Sequence, residues 1–255
     1  MILRRIAGHL KQQHWTGAFI ELAIVILGVF IGLQANNWNQ ARVHRADERA
    51  FLLQLREEIT GDDKALRYQS RYVAQVVASG RRALAYLKGG KDCTTGCDGL
   101  LIDFFDASQV WGAPYDQTRY QQAQRLGYPS NPSTRRAVEA FYKSIGGWLA
   151  VNQTPPTYRA RVRGHFTPAA AEALWQGCWR RPAGGLEELP HGCARALEKL
   201  DTTAMLREIR TDNALIPELQ YWLGQNILAL TFYPQSHLLA KAAEAAITRD
   251  AEDTK

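Results

Sequence analysis

The chain has 255 residues, 46% of them hydrophobic and 22% charged, with 7 Trp, 10 Tyr and 8 Phe. That aromatic content excludes a chain disordered throughout, and a mean hydropathy of −0.31 excludes a multi-span membrane protein. The formal net charge is +6, from 31 Lys and Arg against 25 Asp and Glu.

One segment departs from these averages. Ala18 to Ala35 reads AFIELAIVILGVFIGLQA, with no polar side chain between Leu22 and Leu33. A membrane helix needs about 20 such residues. Trp15 and Trp38 bracket the stretch, about 34 Å apart at the helical rise per residue, which suits the two headgroup layers where Trp collects. A cleaved signal peptide is disfavoured, because Gln34-Ala35-Asn36-Asn37 follows and not a small-residue cleavage site. Glu21 lies near one end of the span, where a carboxylate reaches headgroups or a partner helix. Gly28 and Gly32 form a G-x-x-x-G pair that lets two helices approach, so a homo-oligomer through this helix is an expectation.

The residues before the span carry Arg4, Arg5 and Lys11 and no acid, while Arg42, Arg45 and Arg49 follow it. The Lys and Arg tally is therefore close to even. Cysteine placement favours one orientation. Cys93, Cys97, Cys178 and Cys193 all follow the span, which suits disulfides in an oxidising compartment. The expected layout is a cytoplasmic tail over 1–14, a transmembrane helix over 15–38, a juxtamembrane stalk over 39–60 and a periplasmic helical domain over 61–255, in a bacterial inner membrane.

The run Phe19 to Asn39, FIELAIVILGVFIGLQANNWN, resembles the N-terminal signature of a family of uncharacterised bacterial membrane proteins, the DUF6090 type. That signature is a Glu-led span ending in a Leu-Gln-x-Asn-Asn-Trp-Asn-like motif, then a charged helix, here including Phe51 to Ile59. Thr118 to Gly127 and Ser133 to Tyr142 resemble the family's short helix, turn and helix. The resemblance implies topology and brings no chemistry. Gly17 to Val25, with Glu21, is also similar to the start of type IV pilins and pseudopilins, which continue into a β-sheet domain.

After the span, Asn36 to Ile59 continues as helix, polar over Asn39 to Arg49. Thr60-Gly61 is expected to end it. Asp62 or Asp63 then caps a helix to about Lys88, with Leu66, Val73, Val76 or Val77, Leu84 and Leu87 at helical spacing. Gly89-Gly90 stops that helix. Further helices are expected over Leu100–Phe105 and Gln117–Leu126, and from Asn131-Pro132 to about Val151. Thr167-Pro168 opens another, covering Ala169–Trp179, because a capping side chain followed by Pro starts a helix. The last are Ala194–Lys199, Thr202–Arg210, Ala214–Phe232 and Gln235–Arg249. No segment alternates with a period of two. The fold class is all-α: a membrane helix continuing into a helical bundle.

Local pairing, Cys93 with Cys97 and Cys178 with Cys193, closes two glycine-containing loops, each stabilising by about 2–4 kcal/mol. Four cysteines allow three pairings, and zinc with His191 is the competing use. No catalytic motif is present, whether H-E-x-x-H, G-x-S-x-G or a P-loop. No metal, cofactor or nucleic-acid partner is expected. Arg159, Arg161 and Arg163 recur at every second residue before His165, which suits an extended segment with one basic edge facing lipid headgroups or an acidic ligand. Tyr115, Tyr120, Tyr128, Tyr142 and Trp148, with Arg119 and Arg125, line a ligand or partner pocket or else belong to the core. Asn152-Gln153-Thr154 is a glycosylation-type triplet, discounted because Pro155 follows. The functional expectation is a membrane-anchored module that binds a ligand or an unknown protein partner, with a pilin-like subunit and a sensor component as alternatives.

Overall fold

The computed structural model describes residues 15–110, 115–149, 155–182, 186–190 and 192–253, with only the backbone of 15–18 and 147–149. Among these residues the chain is all-α. Its eight α-helices are α1 (Trp15–Gly89), α2 (Cys97–Ala107), α3 (Thr118–Leu126), α4 (Pro132–Leu149), α5 (Thr157–Gly164), α6 (Pro168–Gly177), α7 (Thr202–Thr211) and α8 (Leu215–Asp253). A 3₁₀ turn covers Cys193–Leu197, where an α-helix over Ala194–Lys199 was expected. Arg180 and Glu188 form an isolated antiparallel bridge.

The chain divides into two units, one reaching Phe51 and the other covering Leu52–Asp253. In the first, α1 is long and apolar enough to cross a membrane, and none of its apolar window is buried. Phe19, Ile24, Phe30, Leu33 and Trp38 are all exposed.

In the second unit, α1 supplies a core face of Leu52, Leu55, Ile59, Leu66, Val73, Val76, Ala83 and Leu87. The helix does not end at Thr60-Gly61. The Thr60 hydroxyl donates to the Arg56 carbonyl at 2.9 Å and reaches Glu244 of α8 at 3.1 Å. Asp62 and Asp63 are buried rather than capping: Asp62 accepts from the Asp116 backbone N–H at 3.0 Å, and Asp63 meets His237 of α8 at 2.6 Å. These contacts offset the ~1 kcal/mol a mid-helix glycine costs.

Continuity also holds at Pro234, inside α8, where two helices were expected. An interior proline loses one hydrogen bond and crowds the preceding turn. Tyr233 and Ser236 beside it are buried, and His237 is held by Asp63, so packing on both sides carries the helix through. Helix α4 packs along α8, α5 also lies against α8, and α2 meets α5 and α7. Trp222 of α8 donates its indole N–H to the Ala107 carbonyl at the end of α2 at 2.9 Å.

The proline-marked starts stand where the sequence puts them. Asn131 Oδ1 accepts from the Ser133 N–H at 2.9 Å at the start of α4. Thr167 Oγ1 accepts from the Ala170 N–H at 3.2 Å at the start of α6. Asp201 caps α7 through the Ala204 N–H at 2.9 Å.

Candidate functional site

A cleft of about 600 Å³ lies between one face of α1 and the loop after α6. Tyr68, Arg71, Tyr72, Gln75, Ala78 and Arg82 form the helix wall. Their spacing of three and four residues puts them in one row along the helix. Arg180, Glu188, Leu189 and Pro190 form the facing wall.

That second wall has little regular structure, and five devices hold it. Cys178 and Cys193 meet at 2.03 Å and close the loop at its base. The Arg180 and Glu188 backbones exchange hydrogen bonds of 3.1 and 2.8 Å. Their side chains also pair, at 2.6 Å. Leu189 is buried with Tyr72 and Val76, and Tyr68, Trp179 and Leu186 pack around them. Gln75 Nε2 donates to the Leu189 carbonyl at 3.1 Å and to Asp106 Oδ2 at 3.2 Å.

The cleft's electrostatics are uneven. Arg82 is neutralised by Asp103 of α2 through bonds of 2.9 and 2.6 Å. Arg180 is neutralised by Glu188. Arg71 lies exposed, with no carboxylate partner among the described residues. Burial pushes the Tyr68 hydroxyl up to about 12, helped by Glu188 and Glu187. Burial pushes Tyr72 up further, so both phenols stay neutral. Below Gln75, burial pushes Asp106 up to about 7, against the lowering effect of the Gln75 hydrogen bond. Its other oxygen, Oδ1, is buried without a hydrogen-bond partner.

The four cysteines form the two local pairs, Cys93 with Cys97 and Cys178 with Cys193. The first pair lies at the start of α2, away from the cleft lining. No group of three or more His, Cys, Asp or Glu placed to hold a metal is found among the described residues. His191 lies outside them, as do 1–14 and Asn152-Gln153-Thr154, and the side chains of Trp15 and Trp148 are likewise not described.

The arginine triplet is not an extended basic edge. It lies on α5, because Pro155-Pro156 leads into a helix whose Tyr158 and Val162, one turn apart, are fully buried. Helical geometry then keeps Arg159 and Arg163, four residues apart, on one face and turns Arg161 away from them. Arg159 donates to the Ser108 carbonyl at 3.1 Å, and Arg163 to the Ser108 hydroxyl at 2.9 Å. Arg163 also lies over the rings of Phe105 and Trp175, at 5.4 and 4.9 Å, and burial, then Arg159, pushes it down to about 10. Arg161 points out and pairs with Glu218 at 2.9 Å and Asp212 at 3.6 Å.

Tyr115 and Arg119 belong to a different arrangement. The Tyr115 hydroxyl donates to Gln69. Arg119 offers its backbone: Glu58 of α1 accepts the Arg119 N–H at 2.7 Å and the Tyr120 N–H at 3.1 Å, capping α3 from another helix. Glu58 also accepts the Tyr142 hydroxyl at 2.7 Å, and the Tyr142 ring stacks on Tyr120 at 4.1 Å. A smaller cavity of about 250 Å³ opens beside this stack, lined by Tyr120, Tyr128, Arg135 and Glu139 among others. Arg125 is exposed, turned back onto the Gln121 carbonyl. The aromatic residues of the middle third thus serve mainly as structure.

In the first unit Glu21 is exposed, and a Cβ at Gly28 or Gly32 would meet nothing within 4 Å. The cleft residues Tyr68, Arg71, Tyr72, Gln75 and Arg82 were not singled out in the sequence. Their signal is present: a row of aromatic and basic residues beside the apolar stripe of one helix. The pairing of that row with Arg180, Glu188, Leu189 and Pro190, about a hundred positions away, is not visible there. Comparison with protein-family models, curated proteins and solved structures finds no match.

Proposed function

We propose that the chain is a single-pass protein of a bacterial inner membrane whose helical domain lies in the periplasm and serves as a binding module. The observation that carries this reading is the cleft of about 600 Å³, walled by α1 and by the disulfide-closed loop, with Arg71 on its edge and without a carboxylate partner among the described residues. Its volume falls in the ordinary range for small-ligand sites, about 300–1,000 Å³. The two cysteine pairs support an oxidising compartment, and the apolar, unburied start of α1 supports the anchor. The resemblance of Phe19 to Asn39 to the DUF6090-type start favours the same topology. A signal from the module would pass through a protein partner. The pilin-like alternative gains no support, since no strand forms among the described residues beyond the single Arg180–Glu188 bridge.

Two measurements test the reading. In intact bacterial cells producing the chain, a membrane-permeant thiol reagent is expected to label no cysteine until reductant is added. In spheroplasts, external protease is expected to digest the helical domain. Thiols that label without reductant, together with a protected domain, would place residues 61–255 in the cytoplasm and overturn the orientation.

A further inference from the structure

We infer that the cleft takes a small organic monoanion with a planar apolar body, its acid group on Arg71 and its body against Tyr68, Tyr72 and Leu189. This rests on the reading of the cleft as a binding site and adds the ligand's chemistry.

The charge argument is one of elimination. Three arginines line the cleft, and two are satisfied within the protein, Arg82 by Asp103 and Arg180 by Glu188. Only Arg71 is left with its guanidinium uncompensated among the described residues. A planar fork of N–H donors is built to take a carboxylate or similar anion in two parallel hydrogen bonds. One such group matches one acid function, and a second anionic group would meet Glu187, whose charge acts on both Tyr68 and Tyr72.

The body follows from the remaining lining. The Tyr68 and Tyr72 rings stand 6.3 Å apart, tilted by 38°. Ala78, Leu189 and Pro190 complete an apolar surface around them. Flat apolar groups gain most against such rings. The neutral phenols do not repel an anion, and Gln75 is already committed to Asp106 and Leu189. Ala78, exposed on the lining between Gln75 and Arg82, presents only a methyl group to the cleft.

The test uses the full chain in zwitterionic nanodiscs and two probes of equal shape, 2-naphthoate and the uncharged 2-naphthalenemethanol. Binding is followed through the amide resonances of residues 68–82 and 186–190. The acid is expected to bind at least tenfold more tightly than the alcohol. Arg71→Gln is expected to reduce that difference to less than about twofold, chiefly by weakening the acid. Ala78→Trp, which fills the cleft from an exposed position on the same helix face, is expected to abolish both. If acid and alcohol bind equally and Arg71→Gln alters neither, the anion preference is overturned while the cleft remains a binding site. If neither probe moves these resonances, or the acid still binds to Ala78→Trp, the cleft itself is overturned as the site.

Discussion

Gln75 on α1 donates to the carbonyl of Leu189, 114 positions later, at 3.1 Å, and so fixes the loop that forms the far wall of the cleft. The same amide reaches Asp106, so one side chain joins α1, α2 and the loop. The cleft therefore depends on bonds that do not belong to any single element.

The Cys178–Cys193 pair closes a segment with a sequence separation of 15. Loop-closure entropy for that length corresponds to about 3 kcal/mol. Cys178→Ser with Cys193→Ser is expected to lower stability by that order in urea unfolding. It is also expected to raise amide exchange at 186–190 more than at 68–82. The same change at Cys93 and Cys97, whose separation is 4, should leave exchange at 186–190 unaltered.

Asp106 gives a pH signature. Burial pushes its carboxyl up to about 7, so the native state binds a proton that the unfolded chain holds only near pH 4. Its contribution therefore favours the native state increasingly as pH falls from about 7 to about 4, by up to ~1.4 kcal/mol per pH unit. Asp106→Asn removes the charge at constant shape. The variant should exceed the parent in stability at pH 8, and the gap should close near pH 4. Asp62, also pushed up to about 7 by burial, retains its own slope in both proteins.

Two glycines should respond in opposite directions to alanine. Gly61 lies within α1, and a Cβ there meets nothing within 4 Å. Gly61→Ala is expected to stabilise by up to about 1 kcal/mol through helix propensity. At Gly177 a Cβ would stand 2.6 Å from the Cβ of Ala196, which cannot rotate away. Gly177→Ala is expected to destabilise by about 1–3 kcal/mol. Thermal unfolding of both variants checks the contrast, and a loss at Gly61 would contradict the unbroken course of α1.

Glu58 accepts three hydrogen bonds, from the Arg119 and Tyr120 backbone and the Tyr142 hydroxyl. Removing a helix cap costs about 0.5–2 kcal/mol. Glu58→Ala is expected at the upper end of that range, and Glu58→Gln, which keeps one acceptor oxygen, at roughly half. Circular dichroism during denaturant unfolding measures both.

Local chemistry made part of this fold legible. The apolar span, the Asn131-Pro132 and Thr167-Pro168 starts and the two cysteine pairs each depend on a few neighbouring residues. The breaks expected at Thr60-Gly61 and Pro234 did not form, because Glu244, Asp63 and His237 supply contacts across α1 and α8. Arg159, Arg161 and Arg163 show the same limit. Their alternate spacing fits an extended strand, yet burial of Tyr158 and Val162 makes the segment a helix, which gathers Arg159 and Arg163 at Ser108 and turns Arg161 away.

The sequence by itself determined an all-α chain with one apolar helix fit to span a membrane and cysteines able to close two short loops. Periodicity, capping and hydrophobicity act within a turn or two, and a single chain displays them directly. Only the tertiary structure decided that Tyr68, Arg71, Tyr72 and Gln75 face Leu189 across a cleft, and that, among the described residues, Arg82 and Arg180 find carboxylate partners while Arg71 does not. Those relationships arise from burial shared between distant segments, which no local pattern encodes.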